Sequence, residues 1–147
     1  MRDVLPELIV LAGTLATVGL AVLVHYEGLA WLARRTVGRV AGRKGMLGVI
    51  FGVLLLHVIE IWIFGGAWWA LVRIPDAGQV IGSGTMAWHE AGFVSALIFT
   101  SQGFDALDPV GAIRLLVSAE ALTGLVLITW SASFTYLEMS RHWSPNR

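Results

Sequence analysis

Apolar residues gather into three long runs, Leu8–Ala33, Met46–Val72 and Leu115–Leu137, each broken by few polar positions. The breaks are His25, Tyr26 and Glu27 in the first, His57 and Glu60 in the second, and Glu120 with several hydroxyls in the third. A helix rises ~1.5 Å per residue, so about 20 apolar residues cross ~30 Å of hydrocarbon. All three runs exceed that, and three transmembrane helices are predicted. The first is too long for a signal-peptide core and lacks a basic lead-in and an A-x-A cleavage site, so it reads as a retained span. The stretch between the second and third runs divides in two. Arg73–Met86 holds Pro75, Asp76, Gly78, Gly82 and Gly84 and reads as a loop. Ala87–Thr100 (AWHEAGFVSALIFT) is apolar but only about 14 residues, ~21 Å as a helix. That is too short to cross and too apolar to sit in water. A re-entrant helix dipping in from outside fits both facts, provided that protein surrounds its inner end.

Composition agrees with the pattern. Hydrophobic residues make up 56% of the 147 and charged residues 14%, with a mean hydropathy of +0.75. Soluble domains carry about 25% charged residues, so an ordinary soluble enzyme and a disordered chain are both excluded. With no cysteine there is no disulfide framework, thiol nucleophile or cysteine-ligated metal. The ten cations balance the ten acids, but they are not placed alike. Arg34, Arg35, Arg39, Arg43 and Lys44 crowd the first link, and Arg141 and Arg147 follow the third span. The positive-inside rule makes that side cytoplasmic. Asp3, Glu7, Asp76, Glu90, Asp105 and Asp108 fall on the other side. The N-terminus is then outside and the C-terminus inside the cell inner membrane. Trp31 and Trp143 suit the inner interface, and Trp68, Trp69 and Trp88 the outer one. The basic link is foremost a topology signal and also suits contact with anionic lipid. No phosphate loop, Ser/His/Asp triad or basic-aromatic surface is present, which argues against an enzyme, a nucleic-acid partner, a cofactor or a small-molecule substrate.

Ionisable groups inside a membrane are costly and ask for a partner or a function. His57 and Glu60 share a helix face at i, i+3, and His25 and Glu27 fall at about the same depth on the first span. Two readings stand open for these four: a metal or proton-relay site, and an interhelical hydrogen-bonded cluster. Glu120 reads as support for the re-entrant segment, accepting hydrogen bonds from it, with direct contact to an ion as the alternative. Gly124, one turn on, allows either a bend or close packing of the third span. Glu90, in the first turn of the short helix beside His89, suits a cap. Ser131, Ser133 and Thr135 share one stripe and either wet an inner cavity or back-bond the helix.

Four stretches carry a family likeness: HYEGLAWLARR (25–35), LLLHVIEIWIF (54–64), FVSALIFTSQGF (93–104) and RLLVSAEALTGLVLITWSAS (114–133). With the span layout, they make the chain resemble the small bacterial two-transmembrane potassium-channel-like (two-pore-domain-like) proteins, here with an extra N-terminal helix and a degenerate selectivity filter. The resemblance implies an all-α membrane protein with the potassium-channel pore fold: three transmembrane helices, a re-entrant pore helix and a filter-like loop. Residues 1–45 would be a peripheral helix and basic link, 46–139 the pore unit, and 140–147 a short cytoplasmic tail. It further implies a homotetramer in the bilayer, with K+ or Na+ as the conducted ion. Phe99–Ala106 stands where the family has F-T-T-(L/V)-G-Y-G-D, which gives Thr100, Ser101, Gln102, Gly103, Phe104 and Asp105 as the ion pathway. Ser101 keeps a hydroxyl and Gly103 a glycine. Phe104 loses the tyrosine hydroxyl, Gln102 replaces an apolar residue, and Asp105 replaces the second glycine. Glu120 and Gly124 become filter support and hinge. The function so implied is a tetrameric cation channel of altered, weak K+/Na+ selectivity. Two rivals are a non-conducting structural or regulatory relative and a membrane metal or redox protein built on His25, Glu27, His57 and Glu60.

Overall fold

The computed structural model describes residues 4–36, 43–81, 86–103 and 108–143. Phe104 and Asp105 of the expected ion pathway, and Asp3, Arg39 and Arg147 of the charge pattern, lie outside the described residues. Three long helices dominate: α1 (Leu5–Thr36), α2 (Arg43–Leu71) and α4 (Arg114–Trp143). Each is long and apolar enough to cross a membrane, and together they mark the chain as a membrane protein. Its outside is apolar: Phe51, Leu55, Leu122 and Tyr136 are all exposed. Its interior is also apolar and includes Phe64, Trp68, Phe99, Leu116 and Leu127. Burial therefore does not distinguish inside from outside by polarity, as it does in water.

The helices run up, down and up. Gly13 faces Leu71, His25 faces Glu60 and Gly28 faces Leu56, so α1 and α2 are antiparallel. His25 lies beside Trp130 and Leu29 near Phe134, while Leu8 and Leu115 share a hollow at the other end, so α1 and α4 are parallel. One end of the bundle thus gathers Arg34, Arg35, Lys44 and Arg141. The first span packs along both α2 and α4. The reason is local. Leu56 seats on Gly28 and Leu32 on Gly52, a reciprocal pair that draws the two backbones together. At its other boundary, α4 continues to Trp143, so the expected tail from residue 140 begins as helix.

A fourth helix, α3 (Trp88–Phe99), has 12 residues and spans ~18 Å. It starts with the backbone N–H of Ala87 donating to Glu90 Oε2 at 2.6 Å, the capping expected of that glutamate. Arg73, at the end of α2, donates to the Met86 carbonyl at 3.0 Å while lying over the Trp69 ring. From there α3 runs antiparallel to α2: Trp88 stacks on Trp62, Gly92 meets Gly65, Ser95 reaches Ile61, and Phe99 lies beside His57. His57 is the middle residue of α2. The short helix therefore starts at the loop end of the bundle and stops half-way along it.

Strands β1 (Gln79–Ile81) and β2 (Asp108–Val110) pair antiparallel, with Val80 opposite Pro109. Sequence reading left 73–86 as loop, because three residues beside glycines carry no strand pattern. The pairing arises because the chain leaves for α3 and returns at one place, where the two arms satisfy each other's backbone groups.

Candidate functional site

Three polar features lie within or beside the apolar bundle. In the first, α1 and α2 deliver two imidazoles to one carboxylate. His25 Nδ1 lies 2.7 Å from Glu60 Oε1, and His57 Nδ1 lies 2.8 Å from Glu60 Oε2. The rings stack with centroids 5.6 Å apart and planes 29° apart. Trp130 of α4 flanks His25, and Phe99 of α3 flanks His57. His25 and Glu60 are fully buried, whereas His57 is 16% exposed. The i, i+3 spacing puts His57 and Glu60 on one face, and the Gly28–Leu56 contact brings α1 close enough for His25 to complete the cluster. With each Nδ1–H donating to an oxygen, the carboxylate is well served. Nε2 of His25 is not: it is buried with no partner. A stranded polar atom of this kind costs about 1–3 kcal/mol.

Glu27 does not join the cluster and is exposed. Two residues beyond His25 means about 200° around the helix, so the side chain leaves on the opposite face. Matching depth along the span was the right test for His25 and His57, but helix phase decides against Glu27.

The second feature is Glu120, fully buried on α4. Trp68 Nε1–H donates to its Oε2 at 2.7 Å. Ser95 Oγ lies 2.5 Å from its Oε1 and 2.7 Å from the Ile61 carbonyl oxygen. One carboxyl group thus ties α2, α3 and α4 together. It grips the middle of α3, as a support for that segment should. Sequence reasoning missed Trp68 and Ser95 as its partners. The available signal was that Ser95 is the one hydroxyl between Trp88 and Phe99, and that a buried indole N–H needs an acceptor.

The third feature is the end of α3. Ser101 N–H donates to the Ile98 carbonyl at 2.8 Å and Gln102 N–H to the Leu97 carbonyl at 2.9 Å. These are the two bonds of a Schellman stop, which puts Ser101 in the left-handed region at φ 56°. Glycine is usual there, and a serine costs about 1–2 kcal/mol. Gly103 follows at φ 79°. Thr100, Ser101, Gln102 and Gly103 are all exposed. Gln102, placed by the family pattern where an apolar residue packs, here carries no packing contact of that kind. Behind the stop, Gly124 of α4 lies against the Phe99 carbonyl with no room for a Cβ. Of its two readings, close packing accounts for the glycine. On the hydroxyl stripe, Ser133 back-bonds to the Thr129 carbonyl at 3.1 Å, whereas Ser131 Oγ is buried without a partner.

No protein-family model matches the chain, nor does any curated protein or solved structure. Function has to be read from these three groups.

Proposed function

We propose that four copies of this chain form a cation-conducting pore of altered, weak K+/Na+ selectivity. Each copy would contribute α2, the re-entrant α3, the loop that follows it and α4. One observation carries the reading: α3 stops beside the middle residue of α2 and leaves Thr100–Gly103 exposed at that level. Peptide groups facing lipid half-way through a bilayer cost several kcal/mol each, so a lone copy is a poor resident of a membrane. Four loops around an axis give those groups ions and water instead. The C-terminal end of a helix carries partial negative charge, which favours a cation there. Exposed Phe93 on α3 and Leu122 and Leu125 on α4 supply apolar surface for the adjoining copy.

Weak selectivity follows from residue types. The family filter relies on a second glycine where this chain has Asp105, so the outer carbonyl sites are compromised. Four such aspartates around the mouth would concentrate cations and bind Ca2+, a hard ion that favours clustered carboxylates. Reconstituted liposomes should pass both K+ and Na+ at comparable rates and exclude a large organic cation. External Ca2+ should block the flux, and Asp105→Asn should relieve the block. The purified protein should run at four times the 15.9 kDa of one chain, before detergent is added. No flux of any cation from a stable tetramer would favour the non-conducting relative, and a monomer that conducts would sink the proposal.

A further inference from the structure

Most polar groups within the spans are accounted for by their neighbours. Thr17, Thr123 and Thr129 return their hydroxyls to the carbonyl four residues back, and Glu120 is served by Trp68 and Ser95. The imidazole pair is different, because two rings from separate helices bring Nδ1 to the two oxygens of one carboxylate, at 2.7 and 2.8 Å. An interhelical lock needs one donor from α1, which Asn, Gln or Ser supplies without a second ring nitrogen. What an imidazole adds is a nitrogen that binds metal, and here two of them converge on a single carboxylate. One donor atom each from His25, His57 and Glu60 lie within 4.8 Å of one another.

We propose that His25, His57 and Glu60 bind a first-row divalent cation of the zinc kind. Two imidazole nitrogens and a carboxylate oxygen are a set that zinc accepts while keeping a fourth position for water. The set holds no sulfur, which disfavours Cu(I), and too few oxygens for Ca2+ or Mg2+. Ligand atoms around zinc stand ~3.3 Å apart, since each lies ~2.0–2.1 Å from the ion. The nitrogen–oxygen separations here are 2.7 and 2.8 Å because protons bridge them. A metal takes the place of those protons, each ring carries its own on Nε2, and the groups draw apart by about half an ångström. His57, 16% exposed beside Phe99, is the one of the three groups that is not fully buried. The site stands apart from the pore reading, because a metal here joins α1 to α2 whether or not ions pass elsewhere.

The test uses the full chain in detergent, stripped with a chelator and titrated with Co2+, whose visible d–d bands report ligation. One ion per chain should bind saturably, be displaced by Zn2+, and be indifferent to excess Ca2+ or K+. His57→Cys exchanges one donor for a thiolate and keeps the His25–Glu60 contact. It should add a near-ultraviolet thiolate-to-cobalt band. Glu60→Gln should weaken Co2+ binding about a hundredfold. The wild-type titration needs no variant to fold. Absence of d–d bands at about millimolar Co2+, far above the affinity of such donor sets, would overturn the site. So would a Co2+ spectrum that His57→Cys leaves unchanged. Either failure leaves the liposome flux result standing, so the two readings fall separately.

Discussion

Gly124→Ala should destabilise the protein by about 3 kcal/mol and, in the proposed pore, abolish cation flux by unseating α3. A Cβ built on Gly124 lands on the Phe99 carbonyl and comes within 2.9 Å of its carbon and 3.0 Å of its Cα. These are backbone atoms at the end of a helix, held by the Schellman bonds of Ser101 and Gln102. No side-chain rotation relieves the clash, so α3 must move as a body. The same movement strips Phe99 from His57 and draws Ser95 from Glu120. Gly19 and Gly48 are the controls, since nothing lies within 4 Å of a Cβ added at either. In both, alanine should leave stability unchanged or raise it by up to ~1 kcal/mol, the difference in helix propensity. Thermal unfolding in one detergent, with the three variants side by side, decides the matter. An unaffected Gly124→Ala protein would mean that α3 does not pack on α4 in this way.

Glu120→Leu should cost about 2–4 kcal/mol, because it leaves the buried Trp68 N–H without an acceptor and Ser95 with one contact fewer. Glu120→Gln should cost far less. Its amide nitrogen can donate to Ser95 Oγ, which then donates to the Ile61 carbonyl, while its carbonyl oxygen accepts from Trp68. The pair thus separates the need for a hydrogen-bonding group from the need for a carboxyl. Unfolding midpoints read the first, and flux in liposomes reads the second. Equal losses in the two variants would show that the network is not what holds α3.

Much of this was legible because a bilayer asks for simple things. Three runs of sufficient length gave three helices, and a run too short to cross gave α3, whose start and capping glutamate were readable from Trp88 to Glu90. His25, His57 and Glu60 were findable because ionisable groups are so rare in such runs. Glu27 was included because depth was reckoned without helix phase. Two features were out of reach. The β1–β2 pairing joins segments whose closeness depends on α3 leaving and returning at one place. The close seating of α1 on α2 depends on Gly28 and Gly52 accepting leucines, and glycines in spans are too common to signal a contact.

The partners of the two fully buried acids, Glu60 and Glu120, share an order along the chain. Glu60 bonds to His25 and His57, and Glu120 to Trp68 and Ser95. In both cases every partner precedes the acid. Chains leave the ribosome from the N-terminus, at about 5–20 residues per second. When Glu60 reaches the translocon, α1 with His25 has already been made, and His57 arrives one helical turn ahead. When Glu120 follows, the indole and hydroxyl that receive it have been synthesised too. Neither acid has to wait in lipid for a partner still to be translated, so the costliest residues in the membrane are the last to arrive at their own contacts.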